Sequence, residues 1–385
     1  MKLTCQKELF SIDEQTHYLN CAYKAPLLKS AESAAINDLI GQRTPSWMTP
    51  DDFFNVTEQV KSLFANLINS SASSIAIIPS TSYGFSSVLN NVDGKPGGHA
   101  ITLKDEFPSG YFSLKRWCLE NEQDLKIIEP DDDSESIGAS WNDRILNSIN
   151  DSTTVVLMSS IHWMNGTVFD LQAIGKKCQE IGAIFIVDET QSVGAMSMDV
   201  EAYRIDALVC ATYKWMFGPY SIALAHIGEK FAGGKPLEES WMNRANARNF
   251  SSLTEYEESY APGSGRYSVG QTSNFILMPM LRSALAQLTE WQPERIKDYC
   301  KELFEPLKNY LDSLHVKLDA EKYFSSHLFS LKLPEEIDTE TLKKNLSNRN
   351  IHISLRGPYI RVSLNVFNDE RDIRALIDSI EESRP

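Results

Sequence analysis

The chain has 385 residues, of which 42% are hydrophobic and 23% charged, enough for a sizeable core with room for one large and one small domain. Its 52 acidic and 37 basic residues leave a net charge of −15, which argues against nucleic acid or an anionic membrane as the main partner. Six cysteines (Cys5, Cys21, Cys118, Cys178, Cys210, Cys300) are scattered without a CxxC pair, so no zinc site or disulfide framework is implied and a reducing cytoplasm fits.

At the start of the chain, Met1 to Lys7 lacks the apolar stretch of a signal segment, and no later run approaches the roughly 18 apolar residues of a membrane span. The expectation is a protein neither secreted nor inserted in a membrane. Thr49-Pro50-Asp51-Asp52 predicts a helix start, with Thr49 as cap, Pro50 in the first turn and two acids against the positive end of the helix dipole. Phe53, Val56, Val60, Phe64, Leu67 and Ile68 then recur at helical spacing and give one buried face. Ile75 to Ile78 is a short apolar run that stops at Pro79-Ser80-Thr81-Ser82-Tyr83-Gly84, after which Phe85, Val88 and Leu89 suggest a second helix. An extended segment therefore feeds a helix N-terminus.

Val155 to Met158 reads as a buried strand, and Asp170 can cap a helix lined by Leu171, Ile174, Cys178 and Ile181. Gly182 ends that helix and the strand Ile184 to Val187 follows. Strand, helix and strand with short connections form a βαβ unit, hence a parallel sheet. Strands that are apolar throughout fit a sheet covered on both faces. Pro262-Gly263-Ser264-Gly265 is the best candidate for a loop between regions. Beyond a helix-rich stretch after Met278, the segments His327 to Leu331, Ile351 to Leu355 and Tyr359 to Leu364 read as strands. A last helix from Asp369 turns Ile373, Leu376, Ile377 and Ile380 inward.

The fold expected is α/β: a large domain with a mostly parallel sheet sandwiched by helices, and a smaller α+β C-terminal domain. Residues 1–20 form an N-terminal segment packing with the small domain, 21–262 the large domain, and 263–385 a linking helix with the small domain.

Two residues stand out chemically. Asp188 lies at the carboxyl end of a strand, where open α/β sheets place functional groups. Lys214 lies in Leu208-Val209-Cys210-Ala211-Thr212-Tyr213-Lys214-Trp215-Met216-Phe217-Gly218-Pro219, a run too apolar for an exposed loop, and burial would leave its amine neutral and nucleophilic. A lysine that follows a strand-end aspartate is the arrangement needed to hold pyridoxal phosphate. The amine forms a Schiff base with the aldehyde, and the carboxylate keeps the pyridine nitrogen protonated so that the ring acts as an electron sink. In Tyr359-Ile360-Arg361-Val362-Ser363-Leu364, strand alternation puts Arg361 opposite Ile360, Val362 and Leu364, free to point into a cleft.

These segments resemble the class V aminotransferases, a fold-type I family that includes cysteine desulfurases, kynureninases and isopenicillin-epimerase-like proteins. The resemblance runs from Tyr18-Leu19-Asn20-Cys21-Ala22, which places Asn20 at the substrate, to Phe367-Asn368. It implies pyridoxal 5′-phosphate as cofactor, with Asp188 on the pyridine nitrogen, Gln191 on the ring hydroxyl, and Asp206 as a structural acid. Thr81, Ser82 and Tyr83 resemble the family's phosphate loop, and hydroxyls with backbone N–H groups at a helix start suit a dianion. Tyr213 resembles the Tyr-Lys pair of kynureninase-like members, whose phenol contacts the phosphate. In Asp105-Glu106-Phe107-Pro108-Ser109, Phe107 would stack on the ring where desulfurases use a histidine. Trp163 would narrow the substrate pocket, and His162 is structural or a proton carrier. Arg266 to Phe275 resembles the segment that reaches the phosphate of the neighbouring subunit, through Gln271 or Thr272, which implies a homodimer with shared active sites. Arg361 would fork onto the substrate carboxylate, a pairing that lysine cannot copy.

The function implied is an enzyme that deprotonates Cα of a small amino acid, aminotransferase-like or epimerase-like. Alternatives are a lyase of the kynureninase or selenocysteine-lyase type, or a cofactor-binding protein with little turnover. A mere binder has no need of Arg361. The segment before Arg361 (Ser354-Leu355-Arg356-Gly357-Pro358-Tyr359) has no cysteine, which speaks against persulfide chemistry.

Overall fold

The computed structural model describes residues 2–131, 133–334, 336–356 and 359–384. In chain order the elements are β1 (His17–Tyr18), α1 (Lys29–Gly41), α2 (Asn55–Leu67), β2 (Ile75–Ile78), α3 (Thr81–Leu89), β3 (His99–Leu103), α4 (Pro108–Glu120), β4 (Asp124–Ile128), α5 (Ile137–Ser148) and β5 (Thr153–Ser159). There follow α6 (Leu171–Ile181), β6 (Ile184–Asp188), β7 (Ala207–Ala211), β8 (Ala223–Ile227), α7 (Leu277–Trp291), α8 (Pro293–Ser313), β9 (Leu328–Lys332), α9 (Thr339–Asn348), β10 (Ile351–His352), β11 (Ser354–Arg356), β12 (Tyr359–Ser363) and α10 (Glu370–Glu381).

The central sheet has the order β2-β8-β7-β6-β5-β3-β4, and only β8 runs against the rest. β5, β7 and β8 are buried at every residue, as strands covered on both faces must be, whereas the edge strand β4 is largely exposed. Helix α6 is set as its sequence dictates. Asp170 accepts the Ala173 N–H at the start, and Gly182 closes the end with φ +68°. Gly84 lets α3 lie close on the sheet, since a Cβ there would stand 2.9 Å from Val209 Cγ1.

Two expectations are corrected. The helix expected at Pro50 starts as a 3₁₀ turn, Pro50–Phe53, in which the Asp52 carboxylate accepts from the Thr49 N–H and hydroxyl; the α-helix begins only at Asn55. The single strand expected over Ile351 to Leu355 is two. β10 pairs with β1 and β11 pairs with β12, so the chain changes sheets around Ile353. A short apolar run carries no record of which neighbour each half will meet.

The N-terminal residues hydrogen-bond to the C-terminal region, with Gln6 N–H donating to Val366 O after β12 and His17 N–H to Asn350 O before β10. Phe10 sits 5.3 Å from both Phe217 and Phe367 and 6.3 Å from Trp291, which ties the N-terminal segment, the turn after Lys214, α7 and the C-terminal region into one apolar cluster. Among the described residues, no helix is long and apolar enough to cross a membrane.

Candidate active site

Six strands point the same way, and the carboxyl ends of five of them (β2, β3, β5, β6 and β7), with the start of β8, open onto a cleft of about 460 Å³. Thr81, Ser82, Phe107, Trp163, Asp188, Gln191, Tyr213 and Lys214 all line it, although they come from five separate stretches of chain.

Asp188 ends β6 and is 6% exposed. Its Oδ1 accepts the Thr190 N–H at 2.9 Å, while Thr190 Oγ1 accepts the Ala211 N–H at 3.1 Å, so the aspartate is braced against the end of β7. Burial raises its pKa to about 6, opposed by the Thr190 hydrogen bonds and assisted by the nearby Glu106 charge. Gln191 has its amide fixed at both ends: Oε1 accepts from Trp215 Nε1 at 2.8 Å and Nε2 donates to Ala22 O at 3.3 Å. One N–H of that amide stays available to the cleft. Gly194, at φ +100°, allows this loop to touch the lysine turn, because a Cβ there would overlap the Trp215 carbonyl.

Lys214 is 6% exposed and makes no hydrogen bond or salt bridge with any described residue. Its Nζ lies 5.6 Å from the Phe107 ring and 5.8 Å from the Tyr213 ring. Burial lowers its pKa to about 8; the Asp188 charge raises it again and Arg361 lowers it further. The neutral, nucleophilic amine is therefore reached at far lower pH than for an ordinary lysine, although the proton is still mostly held at pH 7.

At one end of the cleft, α3 begins. Ser80 caps it by accepting the Tyr83 N–H at 3.3 Å, and its hydroxyl also meets that of Ser82 at 3.0 Å. Tyr83 does not line the cleft; its phenol is pushed up to about 12 by burial and by Glu238. At the other end, Phe107 and Trp163 meet edge to face at 5.5 Å. Glu106 anchors Phe107, accepting its N–H at 2.6 Å and the Ser159 N–H at 2.7 Å. Arg361 is buried rather than free: Nη1 donates to Trp163 O at 2.8 Å and Nη2 to Ser354 Oγ at 3.3 Å, and that hydroxyl donates to Asn20 Oδ1 at 2.9 Å. Asn20 is thus joined to Arg361 through Ser354; neither Asn20 nor Arg361 lines the cleft itself, and Arg361 meets its wall at the Trp163 carbonyl.

Several residues stand apart. Gln271, exposed at φ +58°, and Thr272, buried with its carbonyl accepting from Thr57 Oγ1, are not in this cleft. His162 is buried outside this cleft, with Nδ1 facing Asn165 Oδ1 and Nε2 facing the Lys104 carbonyl, a structural setting in which its neutral ring can donate to only one of the two. Asp206 accepts the Phe185 N–H and pairs with Lys230. Sequence reasoning passed over Glu106, Ser80, Ser221 and Tyr220. The first two were legible in principle, as the acid beside Phe107 and as a serine before a helix.

A cleft of this size suits a small cofactor. The residues fit pyridoxal phosphate: a buried unpaired amine, a carboxylate at the strand end, an aromatic wall, and hydroxyls at a helix N-terminus. Together with the mostly parallel sheet, they define a fold-type I pyridoxal-phosphate enzyme. The chain belongs to the aminotransferase class-V family, whose model matches residues 49–376. It is 23% identical over 368 residues to the uncharacterized aminotransferase YcbU of Bacillus subtilis, covering 95% of this chain and 94% of that one. It is 22% identical to a kynureninase of Shouchella clausii, with 91% and 83% covered. Among solved structures, the apo cysteine desulfurase of Thermococcus onnurineus superposes with a TM-score of 0.80 at 18% identity, covering 99% of this chain and 98% of that one. A C-DES mutant with glycine covalently linked to its PLP cofactor does so with 0.83, also at 18%, covering 99% and 100%. The chain is an aminotransferase-like enzyme whose cofactor is pyridoxal phosphate.

Proposed function

We propose that the enzyme acts on a small amino acid by deprotonating its Cα, as an aminotransferase or epimerase-like catalyst. The observation that carries this reading is Lys214, an amine buried beside Asp188 with no hydrogen-bond or ion-pair partner among the described residues. Burying an uncompensated ammonium is costly, so the lysine is held for chemistry.

Pyridoxal phosphate bound here supplies an electron sink for charge that develops at Cα. Asp188 holds the proton of the pyridine nitrogen, and Gln191 donates its remaining N–H to the ring hydroxyl. Phe107 covers the ring. Thr81, Ser82 and the α3 N-terminus hold the phosphate, with Tyr213 beside them. Arg361, kept in place by Trp163 O and by Ser354, in turn oriented by Asn20, pairs with the substrate carboxylate. Lys214 then takes the Cα proton as general base. Phe107 and Trp163 offer the substrate side chain an aromatic wall without charge, which favours a small uncharged amino acid.

Gln271 and Thr272 lie outside their own chain's cleft, which supports a homodimer in which one of them serves the neighbouring site. A lyase of the kynureninase or selenocysteine-lyase type uses the same residues up to proton removal, and the kynureninase relative keeps it as the second reading. The test is to load purified protein with cofactor, screen amino acids for spectral change, and analyse products by mass and chirality. A keto acid marks transamination, an inverted Cα marks epimerisation, and a lost side-chain fragment marks the lyase. A protein that stays colourless with cofactor would remove the proposal altogether.

A further inference from the structure

The turn that leads from Lys214 to β8 contains two residues, Phe217 and Ser221, with φ of +54° and +69°. A β-carbon disfavours this region and glycine does not. For Phe217 the compensation is visible, because its ring is fully buried, 5.3 Å from Phe10 and 5.7 Å from Trp291. Ser221 has no such return. It is exposed, and its hydroxyl makes no hydrogen bond with any described residue. Strain kept without packing at the edge of an active cleft is a sign that the side chain has a task.

The sheet register shows where that hydroxyl stands. The last pair of the β2–β8 ladder is Ile78 with Ala223, so the chain that leaves β2 through Ser80 and the chain that enters β8 from Ser221 flank the same end of the sheet. Both line the cleft together with Thr81 and Ser82. Among the described residues no arginine lines it, and its one lysine is Lys214. In a chain of net charge −15, a phosphate at this end must therefore be met by neutral donors, and each hydroxyl counts. We propose that the Ser221 hydroxyl donates to the cofactor's phosphate, completing from β8 the cradle that α3 offers beyond β2. This rests on the pyridoxal-phosphate reading of the cleft.

The experiment compares the full-length protein with Ser221→Gly and Ser221→Ala. Glycine removes both hydroxyl and strain; alanine removes the hydroxyl alone. Apo Ser221→Gly should melt about one to two degrees higher than wild type, and Ser221→Ala should not. Both should bind pyridoxal phosphate roughly tenfold more weakly at equilibrium while binding pyridoxal, which lacks the phosphate, as wild type does. Inorganic phosphate should protect the wild-type apoprotein against heat more than either variant. Equal affinity of all three proteins for pyridoxal phosphate would overturn the inference, as would an equal loss for pyridoxal. If wild type itself does not take up the cofactor, it is the reading of the cleft that fails.

Discussion

Arg361 Nη1 donates to the carbonyl of Trp163 at 2.8 Å, and through that bond strand β12 is tied to the loop that walls the cleft beyond β5. The guanidinium that would receive the substrate carboxylate is thereby coupled to the ring that bounds the substrate's side chain. Arg361→Lys should raise KM for the amino acid roughly tenfold or more, because a point charge replaces a planar fork. Cofactor attachment at Lys214 should be unaffected. Unchanged substrate titrations would move the carboxylate site elsewhere.

The protein loaded with pyridoxal phosphate should be yellow, and borohydride should fix the cofactor on the peptide that contains Lys214. Peptide mapping decides this. Label on another lysine contradicts the assignment, since Lys214 is the lysine that lines the cleft.

Lys214 also predicts a pH effect with a definite sign. Its pKa is about 8 in the fold against an ordinary value of 10.5. Below about pH 8 both folded and unfolded chains keep the proton, and burying the ammonium costs its full penalty. Between about 8 and 10.5 only the unfolded chain stays protonated, so this residue makes apoprotein stability rise with pH through that window and then level off. Apo Lys214→Met should lose this component and be more stable than wild type at pH 7, by at most roughly 3 kcal/mol. Paired denaturation curves at pH 7 and pH 10 measure the difference.

Asp188→Ala should fold, with the Thr190 N–H left to water, and lose turnover by roughly two orders of magnitude, because the ring nitrogen loses the carboxylate that holds its proton. The change should also move the pH midpoint of cofactor capture by Lys214 downward, since the Asp188 charge raises that lysine's pKa. A variant with wild-type kcat at saturating cofactor would reduce Asp188 to a structural brace.

No cysteine lines the cleft among the described residues. Cys21 is buried against Asn365, with its thiol pushed up to about 12, and Cys210 lies in the core of β7. Incubation with cysteine should therefore leave no protein-bound persulfide. Its detection by mass spectrometry, abolished by changing one of the six cysteines, would restore a desulfurase assignment.

Local rules were enough to read the βαβ unit around Asp170 and Gly182, the apolar strand that delivers Asp188, and Lys214 in a run too apolar to be exposed. Caps, periodicity and continuous apolar strands are written in neighbouring residues, so the sequence by itself determined them. It did not announce β3, β4 or β8, whose short runs mix apolar residues with His99, Lys126 and His226, nor the change of sheets around Ile353. Tertiary structure alone decided that Ser80 and Ser221 line one cleft, that Glu106 anchors Phe107 through Ser159, and that Asn20 reaches Arg361 through Ser354. Each of these depends on the order of strands in a sheet or on the return of the N-terminal segment to the C-terminal strands. Such contacts join residues far apart in the chain, and only burial of a common core selects them from the many pairings that local propensity allows.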